Sequence, residues 1–105
     1  MAAGLVYQLR PVPGKMAEFF ADIAKGSAVG EKYGGKVRWF QSQVAGPNTG
    51  TVTVITEFAD LAALGAAMDK ANADPDWQAV LAKGQSADAS SVILSVSILN
   101  EIPRG

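Results

Sequence analysis

The stretch TVTVITEF, residues Thr51–Phe58, decides the fold of this chain. Its β-branched and aromatic side chains, which follow Gly50, are typical of a β-strand. Because side chains alternate along a strand, Val52, Val54 and Phe58 lie on one face, and two threonines, an isoleucine and a glutamate lie on the other. The first face is apolar enough to join a core, whereas the second is mixed.

The composition indicates one small domain. The chain has 105 residues, of which 49% are hydrophobic, and domains commonly contain about 100–150 residues. Nine basic and ten acidic residues give a formal net charge of −1. The densest positive cluster, Lys32, Lys36 and Arg38, is much smaller than the basic surface that binds nucleic acid or anionic membrane. We therefore expect a single domain over residues 1–105 with neither kind of partner.

Two residue types that carry much of protein chemistry are missing. The sequence has no cysteine and no histidine, which excludes a thiol nucleophile, a disulfide and any metal held by thiolate or imidazole. The acidic residues form no ligand-like cluster along the sequence, so we predict no metal and no cofactor. We also find no signal peptide and no apolar run of the about 20 residues that span a bilayer. We therefore expect a soluble, cytoplasmic protein.

Changes in hydrophobic period and turn residues divide the chain into seven elements. In order, we predict a strand, a helix, two strands, two helices and a strand over Gly4–Arg10, Lys15–Tyr33, Lys36–Val44, Thr51–Phe58, Leu61–Ala73, Pro75–Lys83 and Ser91–Leu99. Residues 45–50 are turn formers and predict a hairpin loop. Asp60 and Asp74 are expected N-caps, and Gly34 is expected to end the first helix.

Three glycines, Gly26, Gly30 and Gly34, recur every four residues along the first predicted helix. One interpretation is a bare stripe that lets the helix approach a strand closely. The other is a loosely formed end, because each interior glycine costs about 1 kcal/mol relative to alanine. We expect the helix to continue imperfectly to about Tyr33.

The order β-α-β-β-α-β, with a short additional helix, predicts a ferredoxin-like plait. In this α+β fold the helices cover one face of a four-stranded antiparallel sheet whose central strands are the first and third. The residues predicted under the helices are Leu5, Leu9, Val52, Val54, Phe58, Val92, Val96 and Ile98. On the opposite face, here called the open face, we predict Val6, Gln8, Arg38, Phe40, Ser42, Thr53, Ile55, Glu57, Ile93, Ser95, Ser97 and Leu99. A slip of one residue in the second strand would instead place Trp39 and Gln41 there.

The mixed open face suits a surface that a partner covers while leaving a semi-polar cavity. The candidate ligand-binding residues are Arg38, Phe40, Ile55, Glu57, Ser95 and Trp39. A symmetric hairpin would place Arg38 opposite Glu57. One interpretation is a cross-strand ion pair, worth less than about 1 kcal/mol when exposed. In a covered pocket, Arg38 would bind a carboxylate or enolate and Glu57 would act as a base. The tyrosines are interpreted as packed residues with exposed hydroxyl groups.

Two helix-opening segments, Pro13-Gly14-Lys15 and Ala73-Asp74-Pro75-Asp76-Trp77, resemble those of the dimeric α+β barrel superfamily. That superfamily includes antibiotic-biosynthesis monooxygenases, NIPSNAP-like proteins and stress-responsive barrel proteins. The resemblance covers the whole chain in order and length. It implies a homodimer whose sheets face each other, with ligand pockets between sheet and helices or inside the barrel. Haem-binding relatives use a histidine that this chain lacks, so no catalytic residue carries over from them.

Two classes of function follow from these observations. The first is a metal-free, cofactor-independent monooxygenase or isomerase acting on an acidic or polyketide-like aromatic compound. In it Arg38 orients the substrate, Glu57 or a water molecule moves a proton, and Phe40 and Ile55 pack against the rings. The second is a non-catalytic dimeric module that binds a ligand or stabilises assemblies. An RNA-recognition domain shares the element order, but it needs stacking aromatic residues in the third strand, and residues 51–57 contain none.

Overall fold

The computed structural model describes residues 2–43 and 50–104 and confirms the predicted fold class. The elements are β1 (Ala3–Pro11), α1 (Met16–Lys32), β2 (Lys36–Gln41), β3 (Val52–Phe58), α2 (Leu61–Asn72), α3 (Pro75–Gly84) and β4 (Ser91–Asn100). The four strands form one antiparallel sheet in the order β2-β3-β1-β4, so β1 and β3 are central. The predicted hairpin loop lies, apart from Gly50, outside the described residues.

The ends of the helices follow the expected capping chemistry. The Asp60 carboxylate accepts a hydrogen bond from the backbone N–H of Ala63 at 2.7 Å, and Asp74 caps α3 in the same way through Asp76 N–H at 2.8 Å. These bonds satisfy N–H groups that have no partner within the helix. Gly34 ends α1 with φ of +94°, a conformation that glycine adopts without strain.

Strand β2 is shorter than predicted, because it ends at Gln41 rather than Val44. Ser42 still donates a backbone hydrogen bond to Thr51 and accepts one from Gly50, at 2.9 and 2.8 Å. Gly50, however, has φ of +88°, so the segment before β3, which would have to pair with a longer β2, leaves the extended conformation at this residue.

The core lies between the helices and the central strands. One cluster of buried side chains contains Leu9, Phe19, Ile23, Val52 and Val54, and a second contains Ala3, Phe58, Leu64 and Ala67. Phe19 is 0% exposed. The predicted burial of the even-numbered apolar residues of β3 is therefore confirmed.

The glycines of α1 allow neighbouring elements to approach closely, and the helix is continuous through them. A Cβ atom on Gly30 would lie 3.2 Å from Cγ2 of Thr56 in β3. A Cβ atom on Gly26 would lie 3.6 Å from the Trp77 ring in α3. Of the two interpretations of the stripe, close approach is therefore the one that the packing supports.

Strand β4 departs from the prediction in two ways. Its pairing with β1 shifts between Gln8 and Leu9, because Leu94 is an extra residue that forms a β-bulge. As a result Ile93 pairs with Leu9 on the helix-covered face and Val92 lies on the open face, so the predicted faces of these two residues were wrong.

The second departure concerns burial. Val96 and Ile98 are on the helix side of the sheet as predicted, yet they are 51% and 52% exposed. They pair with β1 at the edge of the sheet, beyond the reach of the three helices. Val96 and Ile98 are therefore not covered by the described helices, and the prediction that they lie under the helices was wrong.

Candidate functional site

Three rows of paired residues cross the open face from β4 to β2. The rows are Leu99, Gly4, Glu57 and Lys36; Ser97, Val6, Ile55 and Arg38; and Ser95, Gln8, Thr53 and Phe40. Five of the six candidate ligand-binding residues therefore share one face of the sheet. Arg38 and Phe40 lie on the open face as predicted, so the alternative in which a slip of one residue places Trp39 and Gln41 there is wrong.

The Arg38–Glu57 pair forms, although the two residues are not opposite each other. Arg38 pairs with Ile55 and Glu57 pairs with Lys36, a shift of two residues that keeps both side chains on the same face. The charged groups meet diagonally, with Nη2 and Oε2 3.5 Å apart, and their side chains are 53% and 43% exposed. In one chain this is a surface ion pair, which contributes less than about 1 kcal/mol to stability.

Trp39 lies on the opposite face from the other five candidates. Its indole N–H donates a hydrogen bond to the Ser27 hydroxyl at 2.9 Å, and its ring stacks on Phe20 with the centroids 6.3 Å apart. These contacts attach the edge strand β2 to α1. The structure thus separates Trp39 from the open-face group.

A cleft of about 700 Å³ lies between the helix-covered face of the sheet and the three helices. Here this space is called the cleft. Leu5, Tyr7 and Leu9 of β1 form part of its floor, and Trp77 and Val80 of α3 face them from above. No residue of α3 is buried, so the apolar side of this helix lines the space instead of filling it. Trp77 and Val80 are three positions apart and so lie on one face of α3, and this spacing is the sequence signal that could have indicated the cleft.

Tyr7 and Trp77 meet inside the cleft, with ring centroids 6.4 Å apart and planes at 69°. Neither the Tyr7 hydroxyl nor the Trp77 indole N–H makes a hydrogen bond to any of the described residues. Burial raises the pKa of Tyr7 above its ordinary value. The hydroxyl therefore keeps its proton at neutral pH and remains a donor.

One end of α3 is attached to the end of α1 by the Asp74 cluster, consisting of Asp74, Lys32 and Tyr33. The Asp74 side chain is 1% exposed and accepts hydrogen bonds from Lys32 Nζ at 2.8 Å and the Tyr33 hydroxyl at 2.6 Å. These bonds, with that from Asp76 N–H, hold the pKa of Asp74 well below its usual range. The same hydrogen bonds to Asp74 raise the pKa values of Lys32 and Tyr33.

The other end of α3 is attached by the Lys83 cluster, consisting of Lys83, Asp22, Glu18 and Ser90. Lys83 Nζ lies 2.8 Å from Asp22 Oδ2 and 2.7 Å from Glu18 Oε1, and Ser90 donates to Asp22 at 2.6 Å. Burial acts to raise the pKa of Asp22, but the hydrogen bonds from Lys83 and Ser90 outweigh it and the pKa is lowered. Hydrogen bonds to Asp22 and Glu18 raise the pKa of Lys83. Both ends of the helix above the cleft are therefore fixed by paired charges.

Two further kinds of feature are absent from the described part of the chain. Residues 2–43 and 50–104 contain no group of three acidic side chains placed to hold a metal ion. Within the same ranges, no helix is both long and apolar enough to pass through a bilayer.

Solved structures share this fold along nearly the whole chain. A NIPSNAP family protein from Agrobacterium tumefaciens is 19% identical, with a TM-score of 0.71 over 98% of this chain and 93% of that chain. A NIPSNAP domain protein from Burkholderia xenovorans is 18% identical, with a TM-score of 0.70 over 98% and 94%. A protein from Chloroflexus aurantiacus named after the antibiotic biosynthesis monooxygenases is 12% identical, with a TM-score of 0.60 over 100% and 97%. At these identities the likeness shows the fold alone, and this fold is the ferredoxin-like plait that the sequence predicted.

Comparison of the sequence with individual curated proteins gives no match. Comparison with models of whole families does give one. Residues 5–96 match the family model described as NIPSNAP, and this range includes the cleft and most of every strand and helix. The chain therefore belongs to the NIPSNAP family.

Proposed function

We propose that this NIPSNAP family protein is a homodimer, paired through the open face, that binds a small apolar molecule in the cleft. The observation that carries the binding proposal is the cleft itself, a space of about 700 Å³ with an apolar floor and roof. Ligand-binding pockets usually have volumes of about 300–1,000 Å³ and mostly apolar walls. The Asp74 and Lys83 clusters support the proposal, because they hold α3 above the sheet without filling the space beneath it.

The composition and exposure of β4 support the homodimer. None of its ten residues is charged, and every one from Val92 to Asn100 is exposed in the single chain. A sheet with one solvated face normally alternates apolar and polar side chains. The open face instead presents Phe40, Val92 and Leu99, which are 49%, 54% and 56% exposed. A second copy of this face would remove these side chains from water.

In such a dimer the five open-face candidates, Arg38, Phe40, Ile55, Glu57 and Ser95, would face the partner's sheet. Covering them would desolvate the Arg38–Glu57 pair and strengthen its electrostatic interaction. A semi-polar space left between the sheets would then be a second place for a ligand.

The second candidate function is a metal-free, cofactor-independent monooxygenase or isomerase. Two observations favour it: the fold shared with the Chloroflexus aurantiacus protein, and Tyr7, whose protonated hydroxyl has no protein partner among the described residues. Such a hydroxyl can donate a proton or a hydrogen bond to an oxygen atom that develops charge. Turnover of a bound compound by the wild-type protein, lost in Tyr7→Phe, would distinguish this function from binding alone.

The dimer predicts a mass of twice the 10.9 kDa chain in light scattering over a range of concentrations. Two single variants, Phe40→Asp and Leu99→Asp, test the interface at opposite corners of the open face. Each should shift the protein to the single-chain mass, because it places a charge in an apolar interface. Both positions are about half exposed in one chain, so the fold should tolerate the change, which circular dichroism would check.

Leu61→Asp is the matched control for this experiment. Leu61 is 47% exposed but belongs to α2, on the helix side of the sheet, so this variant should keep the wild-type mass. A wild-type protein with the mass of one chain at all concentrations would contradict the dimer. Open-face variants that keep the double mass would contradict this interface.

Binding in the cleft predicts that the neutral apolar dye N-phenyl-1-naphthylamine becomes fluorescent with the wild-type protein. Val80→Asp should weaken its binding by about tenfold or more, because it places a carboxylate against an apolar ligand. Ala82→Asp is the matched control, since Ala82 is exposed on the same helix and does not line the cleft. Absence of dye binding to the wild type, or equal binding by Val80→Asp, would contradict the proposal.

A further inference from the structure

We propose that the ligand of the cleft is a neutral, largely apolar compound with a carbonyl-type oxygen, such as an aryl ketone or quinone, and that Tyr7 recognises this oxygen. This proposal rests on the proposed binding function and adds the chemical class of the ligand and a specificity-determining residue.

The first argument is the position of Tyr7. Its side chain stands on the central strand β1 between Val54 of β3 and Val96 of β4, and it lines the cleft. Among the described residues, every buried side-chain nitrogen or oxygen atom has a hydrogen-bond partner, whereas the Tyr7 hydroxyl has none. That hydroxyl is therefore not sealed within the protein but remains accessible, on a side chain that faces the cleft.

The second argument compares the two tyrosines and two tryptophans of the chain, all of which are described. Tyr33, which also lines the cleft, donates to Asp74 at 2.6 Å, and Trp39, which lies outside the cleft, donates to Ser27 at 2.9 Å. The other two, Tyr7 and Trp77, also line the cleft and have no such partner in the described part of the chain. An indole N–H only donates, and a protonated phenol donates readily. The cleft thus presents two available donors, which suits a ligand with an acceptor oxygen.

The third argument concerns charge. Four charged residues line the cleft, two acidic and two basic: Asp22, Lys25, Asp76 and Lys83. Lys83 is bound by Asp22 and Glu18, so its charge is already neutralised. The lining is balanced in charge, so a ligand with a net charge would meet as many like charges as opposite ones and would pay a large desolvation cost. A neutral ligand avoids this cost.

The aromatic side chains favour a flat ligand. Tyr7 and Trp77 stand edge to face, and the lining around them includes the aliphatic side chains of Leu5, Leu9, Val54 and Val80. Aromatic rings bury large areas and pack well against such surfaces in stacked or edge-on arrangements. Hydrogen bonding to a carbonyl would then fix the orientation of a molecule whose affinity comes mainly from its apolar rings.

The test compares 2-acetylnaphthalene with 2-ethylnaphthalene, which share a ring system but differ in the carbonyl oxygen. Binding is followed by quenching of Trp77 fluorescence in a Trp39→Phe background, because Trp39 lies outside the cleft. We expect Tyr7→Phe to bind the ketone about tenfold more weakly and the hydrocarbon unchanged, since one net hydrogen bond is lost while the ring remains. The carbonyl stretch of the bound ketone should also move to higher frequency in Tyr7→Phe.

Tyr33→Phe is the matched control, because it removes the tyrosine hydroxyl that already has a partner. Because Tyr33 lines the cleft and helps to hold α3, this variant is expected to change the affinities for the ketone and the hydrocarbon by the same factor, so the ratio between them stays that of the wild type. If Tyr7→Phe binds the ketone as tightly as the wild type does, the role of Tyr7 is overturned while small-molecule binding stands. If neither naphthalene binds to the wild type, the binding function fails and this inference fails with it.

Discussion

Replacing Phe19 with alanine is expected to lower the free energy of unfolding by about 3–5 kcal/mol, the usual cost of deleting a buried phenylalanine. Phe19 is 0% exposed and belongs to the core cluster formed with Leu9, Ile23, Val52 and Val54. Its removal leaves a cavity between α1 and the central strands, and both sides of that cavity are held by secondary structure. The structure can therefore collapse only partly around it. Urea unfolding at one fixed protein concentration measures the change, because the proposed dimerisation would make stability depend on concentration.

The neighbouring residue provides the control. Phe20 has the same side chain on the same helix but is 39% exposed, with its ring stacked on Trp39. Phe20→Ala should cost only about 1 kcal/mol, because it removes a partly solvated contact and leaves no enclosed cavity. Similar losses in the two variants would show that Phe19 does not form the centre of the core.

Replacing Gly35 with alanine is expected to lower the free energy of unfolding by about 2–3 kcal/mol through overpacking. The added Cβ atom would lie 2.5 Å from Cγ2 of Thr56, 2.9 Å from the carbonyl oxygen of Gly30 and 3.0 Å from the Phe58 ring. The carbonyl oxygen is backbone and cannot rotate away, so the start of β2 must shift relative to α1 and β3. Urea unfolding measures this effect as well.

Gly65→Ala is the matched control for Gly35. A Cβ atom on Gly65 meets nothing within 4 Å, and the residue is exposed in the interior of α2. Alanine is the better helix former by about 1 kcal/mol, so this variant should be more stable than the wild type. If the free energy of unfolding of Gly35→Ala is within about 0.5 kcal/mol of the wild-type value, the substitution behaves like one at the surface. The prediction that glycine is required for the close packing at this position would then be contradicted.

The number, type and order of the elements could be predicted because they depend on local patterns. The alternation in Thr51–Phe58, the caps at Asp60 and Asp74 and the helix end at Gly34 each involve residues a few positions apart. Such patterns compete with little else in the chain. The plait then follows from the order of strands and helices.

The faces of β4 could not be predicted so well because its sequence is apolar on both sides. In the run from Ser91 to Asn100, hydrophobic residues occupy both odd and even positions. The alternation of apolar and polar residues therefore does not reveal the bulge at Leu94, which exchanges the faces of Val92 and Ile93. It also does not reveal that Val96 and Ile98 lie beyond the reach of the helices. The β2–β3 register depended in the same way on a loop whose geometry its turn residues do not specify.

The cleft depends on contacts between residues far apart in the sequence. Lys32 and Asp74 are 42 positions apart, and Asp22 and Lys83 are 61 positions apart. Ion pairs between residues this far apart produce no periodic pattern in the sequence. The sequence therefore predicted the helix α3 but not the distance between α3 and β1 that leaves the cleft open. The role of Tyr7 was missed for the same reason, because a strand tyrosine looks like any packed residue until the space beside it is known.

The attachment of α3 by polar contacts at its two ends has a kinetic consequence. The helix has no buried residue, so its release from the sheet would expose little additional apolar surface and would cost far less than unfolding the domain. Local opening of this kind in folded proteins takes place on the scale of about microseconds to seconds. A compound bound as proposed would then enter and leave beneath α3 while the sheet stays intact, and its residence time would depend on how fast the contacts of the two charged clusters form again.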